Sequence, residues 1–264
     1  MPHYAPCGDD RIAYYTQGPS DGPTLVLAHA MAMDSRQWDA ILPLLPPSLR
    51  VLRYDLRGHG NSSAPPAPYS MGALIRDAET LLDHLNIRDC VFVGSSLGGM
   101  VAQGLAVKRL DQIRALVLTN TATKRGTKDI WARLIANIET NGALAYLTTD
   151  FAQSFSASFR KTPEARLWQT RHLAQNPQTI LGCAAAIAGT DFYTTTASLR
   201  LATLVIGSAN DAITPADMAR ELANLIPGAS FHLITKSGHF PMIEHPAAFA
   251  SALGSFLTAI GHCA

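Results

Sequence analysis

Cysteine is scarce in this sequence: four in 264 residues, at 7, 90, 183 and 263. None forms a Cys-x-x-Cys pair, which excludes a small disulfide framework and a thiolate metal site. We expect all four to be reduced, with Cys90 a small core residue at the start of a strand. Charge is also thin, since Asp, Glu, Lys and Arg make up 16% of the chain and the net charge is +1. No run of five or six like charges occurs, so neither nucleic acid nor an anionic membrane is an expected partner. Long apolar runs are missing too. No stretch of about 18 apolar residues could form a membrane span, and Met1–Asp10 lacks the basic-then-apolar pattern of a secretory signal. We expect a cytoplasmic protein whose partners are small molecules.

What the sequence does have is core material: 47% of its residues are hydrophobic, far from the composition of a disordered chain. Short apolar runs bounded by turn residues recur at Thr24–Ala28, Val51–Tyr54, Cys90–Val93, Ala115–Leu118, Thr203–Ile206 and Phe231–Ile234. Each has the length of a fully buried strand. Between them lie helical patterns such as Met71–Leu85, where Leu74, Ala78, Leu81 and Leu85 form a stripe behind a capping Ser70. Strands alternating with helices need crossover connections, so the expected fold class is α/β: a mostly parallel sheet covered on both faces. The opening residues through Tyr15 read as an antiparallel edge hairpin.

The alternation breaks between about residues 122 and 197. Helical patterns at Trp131–Ile138, Ala143–Phe151, Ala165–Gln175 and Thr179–Ala188 follow one another without a strand. This predicts a core in two parts, 1–121 and 198–264, with a helical cap inserted at the carboxyl ends of the strands, where open α/β sheets bind ligands. The insertion carries eight lysines and arginines against five carboxylates. That surplus suits an anionic substrate, although charged faces on solvated helices give the same count.

Three segments carry chemistry. Gly94-Ser95-Ser96-Leu97-Gly98 follows the run Cys90–Val93 and precedes the helical Met100–Val107, the strand, tight turn and helix order of a nucleophile elbow, with Ser96 at its tip. The flanking glycines are needed because side chains there would strike the neighbouring strand and helix. A serine hydroxyl is a weak nucleophile near neutral pH and needs a base, which in turn needs an orienting group. Asp211, on the loop after Thr203–Ile206, is the candidate acid, although an aspartate there can also cap the helix opening at Pro215. His239, on the loop after Phe231–Ile234, is the candidate base. His245, just before Pro246, belongs to the entry of the last helix.

Attack on a carbonyl places negative charge on its oxygen, so two backbone N–H donors are needed. Leu97, after the nucleophile, supplies one at a helix N-terminus. Met31, in the loop His29-Ala30-Met31, is the choice for the other. We read His29 as holding that loop, with direct substrate contact as the second possibility. Asp55 and Arg57, in the polar loop after Val51–Tyr54, are expected to pair with each other and stabilise a turn. No His or carboxylate pair has ligand spacing on a helix or strand, so neither a metal nor another cofactor is expected.

The Asp-x-Arg-Gly-His-Gly-x-Ser loop, the Gly-Ser-Ser-Leu-Gly-Gly-Met elbow and the Ser-Gly-His-Phe-Pro-Met-Ile-Glu-His-Pro-x-x-Phe ending resemble those of the α/β-hydrolase superfamily over nearly the whole chain. The chain order Ser, Asp, His is that of the α/β-hydrolases. Leu118–Lys124, Gly126-Thr127, Trp131 and Cys183–Ile187 look like the cap-flanking segments of 3-oxoadipate enol-lactonases, which open a small anionic enol-lactone without a cofactor. The loop His29–Met33 departs from theirs. By this resemblance Trp131 and Arg133 are expected to line the pocket. A serine at 96 disfavours dehalogenase and epoxide-hydrolase chemistry, which starts from a carboxylate. The expected activity is hydrolysis of a small ester or lactone. A general carboxylesterase and a cofactor-free perhydrolase are the enzymatic alternatives, and a ligand receptor is the non-enzymatic one.

Overall fold

A computed structural model describes residues 1–263. Eight strands form one sheet: β1 (His3–Cys7), β2 (Asp10–Gln17), β3 (Thr24–Ala28), β4 (Arg50–Tyr54), β5 (Cys90–Ser95), β6 (Ile113–Thr119), β7 (Ala202–Ser208) and β8 (Ser230–Ile234). Their order is β1-β2-β4-β3-β5-β6-β7-β8. β1 and β2 make the expected antiparallel edge hairpin, β2 runs antiparallel to β4, and β3 to β8 are mutually parallel.

The apolar runs form strands because both faces of the sheet are covered. In β3, Leu25 and Leu27 pack into one core cluster while Val26 and Ala28 pack into the other. β5 divides in the same way, Val91 and Val93 against Cys90 and Phe92. Alternate side chains point to opposite faces, so a strand covered on both sides is apolar throughout. Each leucine or valine buried in this way contributes roughly 1.5–3 kcal/mol. Helices α1 (Met71–His84) and α2 (Leu97–Lys108) cover one face. Ser70 caps α1 by accepting from the Ala73 N–H, and the buried Leu74, Ala78, Leu81 and Leu82 form its inward stripe.

Between β6 and β7, among the described residues, stand five α-helices, α3 (Lys128–Asn141), α4 (Leu144–Ser154), α5 (Pro163–Leu173), α6 (Pro177–Ala188) and α7 (Tyr193–Ala197), with one 3₁₀ turn at Phe159–Lys161. The first four extend the expected patterns. The fifth, rich in threonine, has no apolar stripe to reveal it. After β7 come α8 (Ala216–Leu225), the one-turn α9 (Pro241–Glu244) and α10 (Pro246–Ala259). No helix among the described residues is long and apolar enough to cross a membrane.

Two expectations need correction. β8 is not fully buried: it is the edge strand, and Ser230, His232 and Leu233 are exposed. Asp55 and Arg57 do not pair. Arg57 binds the buried Asp77 of α1, 2.6 Å from Nε to Oδ2, while Asp55 accepts from the Ser35 and Asn61 N–H groups and the Tyr15 hydroxyl. The partner of Arg57 lies a helix away, beyond what local spacing can reveal.

Because β3 to β8 point the same way, the loops after β3, β5, β6, β7 and β8 leave from one edge of the sheet. β3 has β4 on one side and β5 on the other. The chain order therefore reverses there, the position where α/β sheets open a crevice for ligands.

Candidate active site

Ser96 sits between β5 and α2 with φ 51° and ψ −111°, a conformation that costs a non-glycine residue about 1–3 kcal/mol. Its N–H donates to Thr119 O (3.0 Å), and its carbonyl accepts from the Thr121 hydroxyl (2.7 Å) as well as from the Gly99 and Met100 N–H groups of the first helical turn. The flanking glycines are forced by contact. A Cβ on Gly94 would lie 2.3 Å from Gly98 O, and one on Gly98 would lie 2.4 Å from Ala28 O. The second contact also brings the end of β3 onto the start of α2.

His239 and Asp211 are brought together by the loops after β8 and β7. Nδ1 of His239 lies 2.7 Å from Oδ2 of Asp211, and both side chains are buried. Burial pushes the Asp211 carboxyl up, but the His239 imidazole beside it and hydrogen bonds from His239, Asn120 and the Thr214 backbone hold it below the usual carboxylate range. An ionised carboxylate only accepts, so Nδ1 of His239 is the donor in this pair, which in the neutral imidazole leaves Nε2 as the acceptor. Asp211 also accepts from the Ile213 and Thr214 N–H groups, at 2.8 and 3.0 Å. It therefore orients the turn into α8 as well as the imidazole.

Two groups that sequence reasoning missed complete this arrangement. Asn120 Nδ2 donates to Asp211 Oδ2 at 2.7 Å, and the Thr214 hydroxyl donates to the same oxygen at 2.8 Å. Asn120 lies just past β6 at φ 48°, where asparagine is among the few residues at ease. An Asn directly after an apolar strand was the available signal.

Ser96 and Thr214 line one small cavity with Leu97, Met100, Thr121, Ala122, Arg125 and Ile187. It leaves about 10 Å³ open to the centre of a water-sized sphere, room for roughly one water. Among the described residues Ser96 Oγ makes no hydrogen bond. Thr214 bridges its surroundings to the imidazole, with its hydroxyl 3.3 Å from His239 Nδ1.

Met31 and Leu97 belong to the same apolar cluster, and among the described residues neither N–H has an acceptor. The loop bearing Met31 is held by a pair of histidines. His29 donates from Nδ1 to Ala30 O (2.7 Å) and accepts at Nε2 from the Leu56 N–H (2.8 Å). His59 accepts at Nε2 from the Ala32 N–H (3.2 Å) and its Nδ1 faces Arg57 O (3.1 Å). Burial pushes His59 down to about 3, and His29 is likewise lowered by burial, so both are neutral.

Both nitrogens of His29 are engaged by the backbone, which fits its reading as the residue that holds the loop, while Arg133 and Trp131 do not line the cavity at Ser96. Arg133 is exposed on α3, its Nε bonded to Asp129 O. Trp131 is buried behind the cavity wall and donates from Nε1 to Arg125 O. The cation lining the cavity is Arg125, two residues before the capping Thr127 of α3. Its guanidinium lies 5.2 Å from the Trp131 ring centre and has no ion-pair partner among the described residues. The resemblance points to Arg133 on the helix, whereas Arg125 stands in the loop before it. Burial pushes the Cys90 and Cys183 thiols up to about 12, which suits inert core residues.

Comparison with known proteins agrees with the fold. A family model described as alpha/beta hydrolase fold matches residues 23–246. A 3-oxoadipate enol-lactonase of Acinetobacter baylyi is 28% identical, covering 93% of this chain and 92% of that protein. RutD of Pseudomonas syringae, named for carbamate hydrolysis, is 31% identical over 90% of this chain and 95% of its own. The crystal structure of the enol-lactonase from Burkholderia xenovorans superposes with a TM-score of 0.92 at 28% identity, covering 97% of this chain and all of that one.

Proposed function

Because the chain belongs to the α/β-hydrolase family, we propose that it cleaves a small carboxylic ester or lactone through an acyl-enzyme on Ser96. The observation that carries this proposal is the buried 2.7 Å contact of His239 with Asp211, at the same sheet edge as a serine held at positive φ. His239 Nε2 takes the Ser96 proton as Oγ bonds to the carbonyl carbon. The oxygen that becomes negative is met by the N–H groups of Met31 and Leu97; one such donor is typically worth about 10²–10³ in rate. Collapse breaks the carbonyl carbon to alkoxy oxygen bond, and the leaving oxygen takes the proton from His239. Water then attacks the acyl group with the same base, restoring Ser96. In a lactone the leaving oxygen stays tethered to the acyl chain, so one product is released. Residues 122–197 form the cap that closes over this reaction.

The substrate we favour carries a carboxylate, as 3-oxoadipate enol-lactone does. Support comes from Arg125, a half-buried cation on the cavity wall that makes no direct ion pair among the described residues, the buried Asp150 lying near enough to feel its charge but not bonded to it. In a site shielded from water an unpaired guanidinium favours an anion, and a planar carboxylate fits its fork. The test is a substrate panel of enol-lactone, neutral short-chain nitrophenyl esters and peracid formation from peroxide, run on the wild type, Ser96→Ala and Arg125→Gln. Ser96→Ala should abolish every activity. Arg125→Gln should lower kcat/KM for the enol-lactone at least tenfold and that for neutral esters less than threefold. Equal losses on charged and neutral substrates would reject the carboxylate role, and turnover by Ser96→Ala would reject the nucleophile.

A further inference from the structure

The loop that carries His239 is fastened to the helical insertion, and one half-buried carboxylate ties the two together. Glu244 ends the one-turn helix α9, five residues after His239. Its Oε1 accepts from two backbone N–H groups on different parts of the chain: Gly238, at 3.0 Å, and Ser156, at 3.2 Å. Oε2 faces the Ser156 N–H at 3.3 Å. Ser156 lies just past α4, in the insertion, and Gly238 immediately precedes His239. A second tie runs alongside, because the His239 N–H donates to Ser154 O at 2.6 Å.

The packing around these bonds leaves the loop little freedom. A Cβ on Gly238 would lie 2.6 Å from Ser154 O, 2.8 Å from Glu244 Oε1 and 2.9 Å from Ser156 N. The glycine is therefore where insertion and loop press together. Phe155 stands between the two tied residues, its ring 5.0 Å from that of Phe240, the residue after the histidine. The Asp211 contact fixes the imidazole through Nδ1 but leaves the backbone of the loop to other restraints. The cavity at Ser96 has room for roughly one water, so a substrate enters only if its wall moves. Whatever moves residues 154–156 pulls on the peptide of His239.

We propose that Glu244 is a positioning residue: its carboxylate locks the His239 loop to the segment after α4, so that the base is aligned with Ser96 only when the insertion is seated. This rests on the serine-hydrolase function proposed above. Loss of the lock misplaces the base after substrate has bound, so it lowers kcat and spares KM. A displacement on the order of 1 Å in a reacting group can cost about 10²-fold.

The test compares Glu244→Met, which keeps the volume and removes the acceptor, with Glu244→Gln, whose carbonyl can occupy the Oε1 position and take both bonds. Steady-state kinetics on a short nitrophenyl ester are read beside the His239 Nδ1–H proton resonance in histidine-labelled protein. Glu244→Met should lower kcat about 10–100-fold with KM within threefold, and should broaden or shift the resonance. Glu244→Gln should lose no more than about fivefold. A kcat for Glu244→Met within twofold of wild type overturns the proposal, as do equal losses in both variants with an unmoved resonance, which mark a merely structural residue. If Glu244→Met does not fold, Glu244→Asp, which draws the acceptor back by about one bond length, ~1.5 Å, must show the same kcat loss and the same change in resonance. Absence of either overturns the proposal. Wild-type enzyme that neither turns over an ester nor reacts with a serine-directed probe refutes the underlying function instead.

Discussion

At the scale of single residues, the candidate site depends on groups that hold other groups. Asp211 receives five hydrogen bonds from four residues: His239, Asn120, Ile213 and Thr214, the last through both its N–H and its hydroxyl. Each donor stabilises the ionised form, and together they outweigh the burial that opposes it. Asn120 is the most informative to remove. Substituting glycine takes away the amide and leaves the backbone free to keep φ 48°, so the effect isolates the side chain. A hydrogen bond to a charged group is worth roughly 1.5–3 kcal/mol. Asn120→Gly should destabilise the fold by about that amount in a urea titration and lower kcat by about three- to thirtyfold with little change in KM. Full stability and full kcat together would mean that Asn120 does not position Asp211.

At the scale of elements, the sequence made much of the sheet legible, because strands buried on both faces read as unbroken apolar runs. Ser96, Asp211 and His239 could be named for the same reason, each lying just past such a run. What was illegible depended on contacts across elements. β8 looked like its neighbours, but its place at the sheet edge follows from topology and not from composition. The partner of Arg57 is Asp77 on α1, and no spacing within the loop from Asp55 to Ser62 could point there. Arg125 was missed in favour of Arg133 because the family resemblance pointed to an arginine of the cap, and no periodicity marks the irregular residues that precede a helix. The roles of His59 and Glu244 are fixed only when separate loops meet.

At the scale of the whole molecule, two buried histidines set an acid limit on the fold. Burial, with His29 close by, lowers His59 from 6.5 to about 3, and His29 moves in the same direction. In the unfolded chain both protonate near 6.5, whereas the folded protein holds them neutral. Below about pH 6.5 the unfolded chain therefore binds protons that the native state refuses, and stability falls as pH drops toward 3, by up to about 1.4 kcal/mol per pH unit for each histidine. Asp211, whose pKa is depressed, adds a loss only at lower pH, below its ordinary 3.8. The urea midpoint should fall steadily between about pH 6.5 and about pH 4, and His59→Gln, which keeps an acceptor for the Ala32 N–H, should flatten that slope. An unchanged slope would assign the acid sensitivity elsewhere. The nucleophile itself is tested most directly by reacting the protein with a fluorophosphonate and locating the adduct by tandem mass spectrometry. We predict one adduct, on Ser96, formed slowly in His239→Gln and absent in Ser96→Ala. Labelling undiminished in Ser96→Ala, or an adduct at another residue, would contradict it.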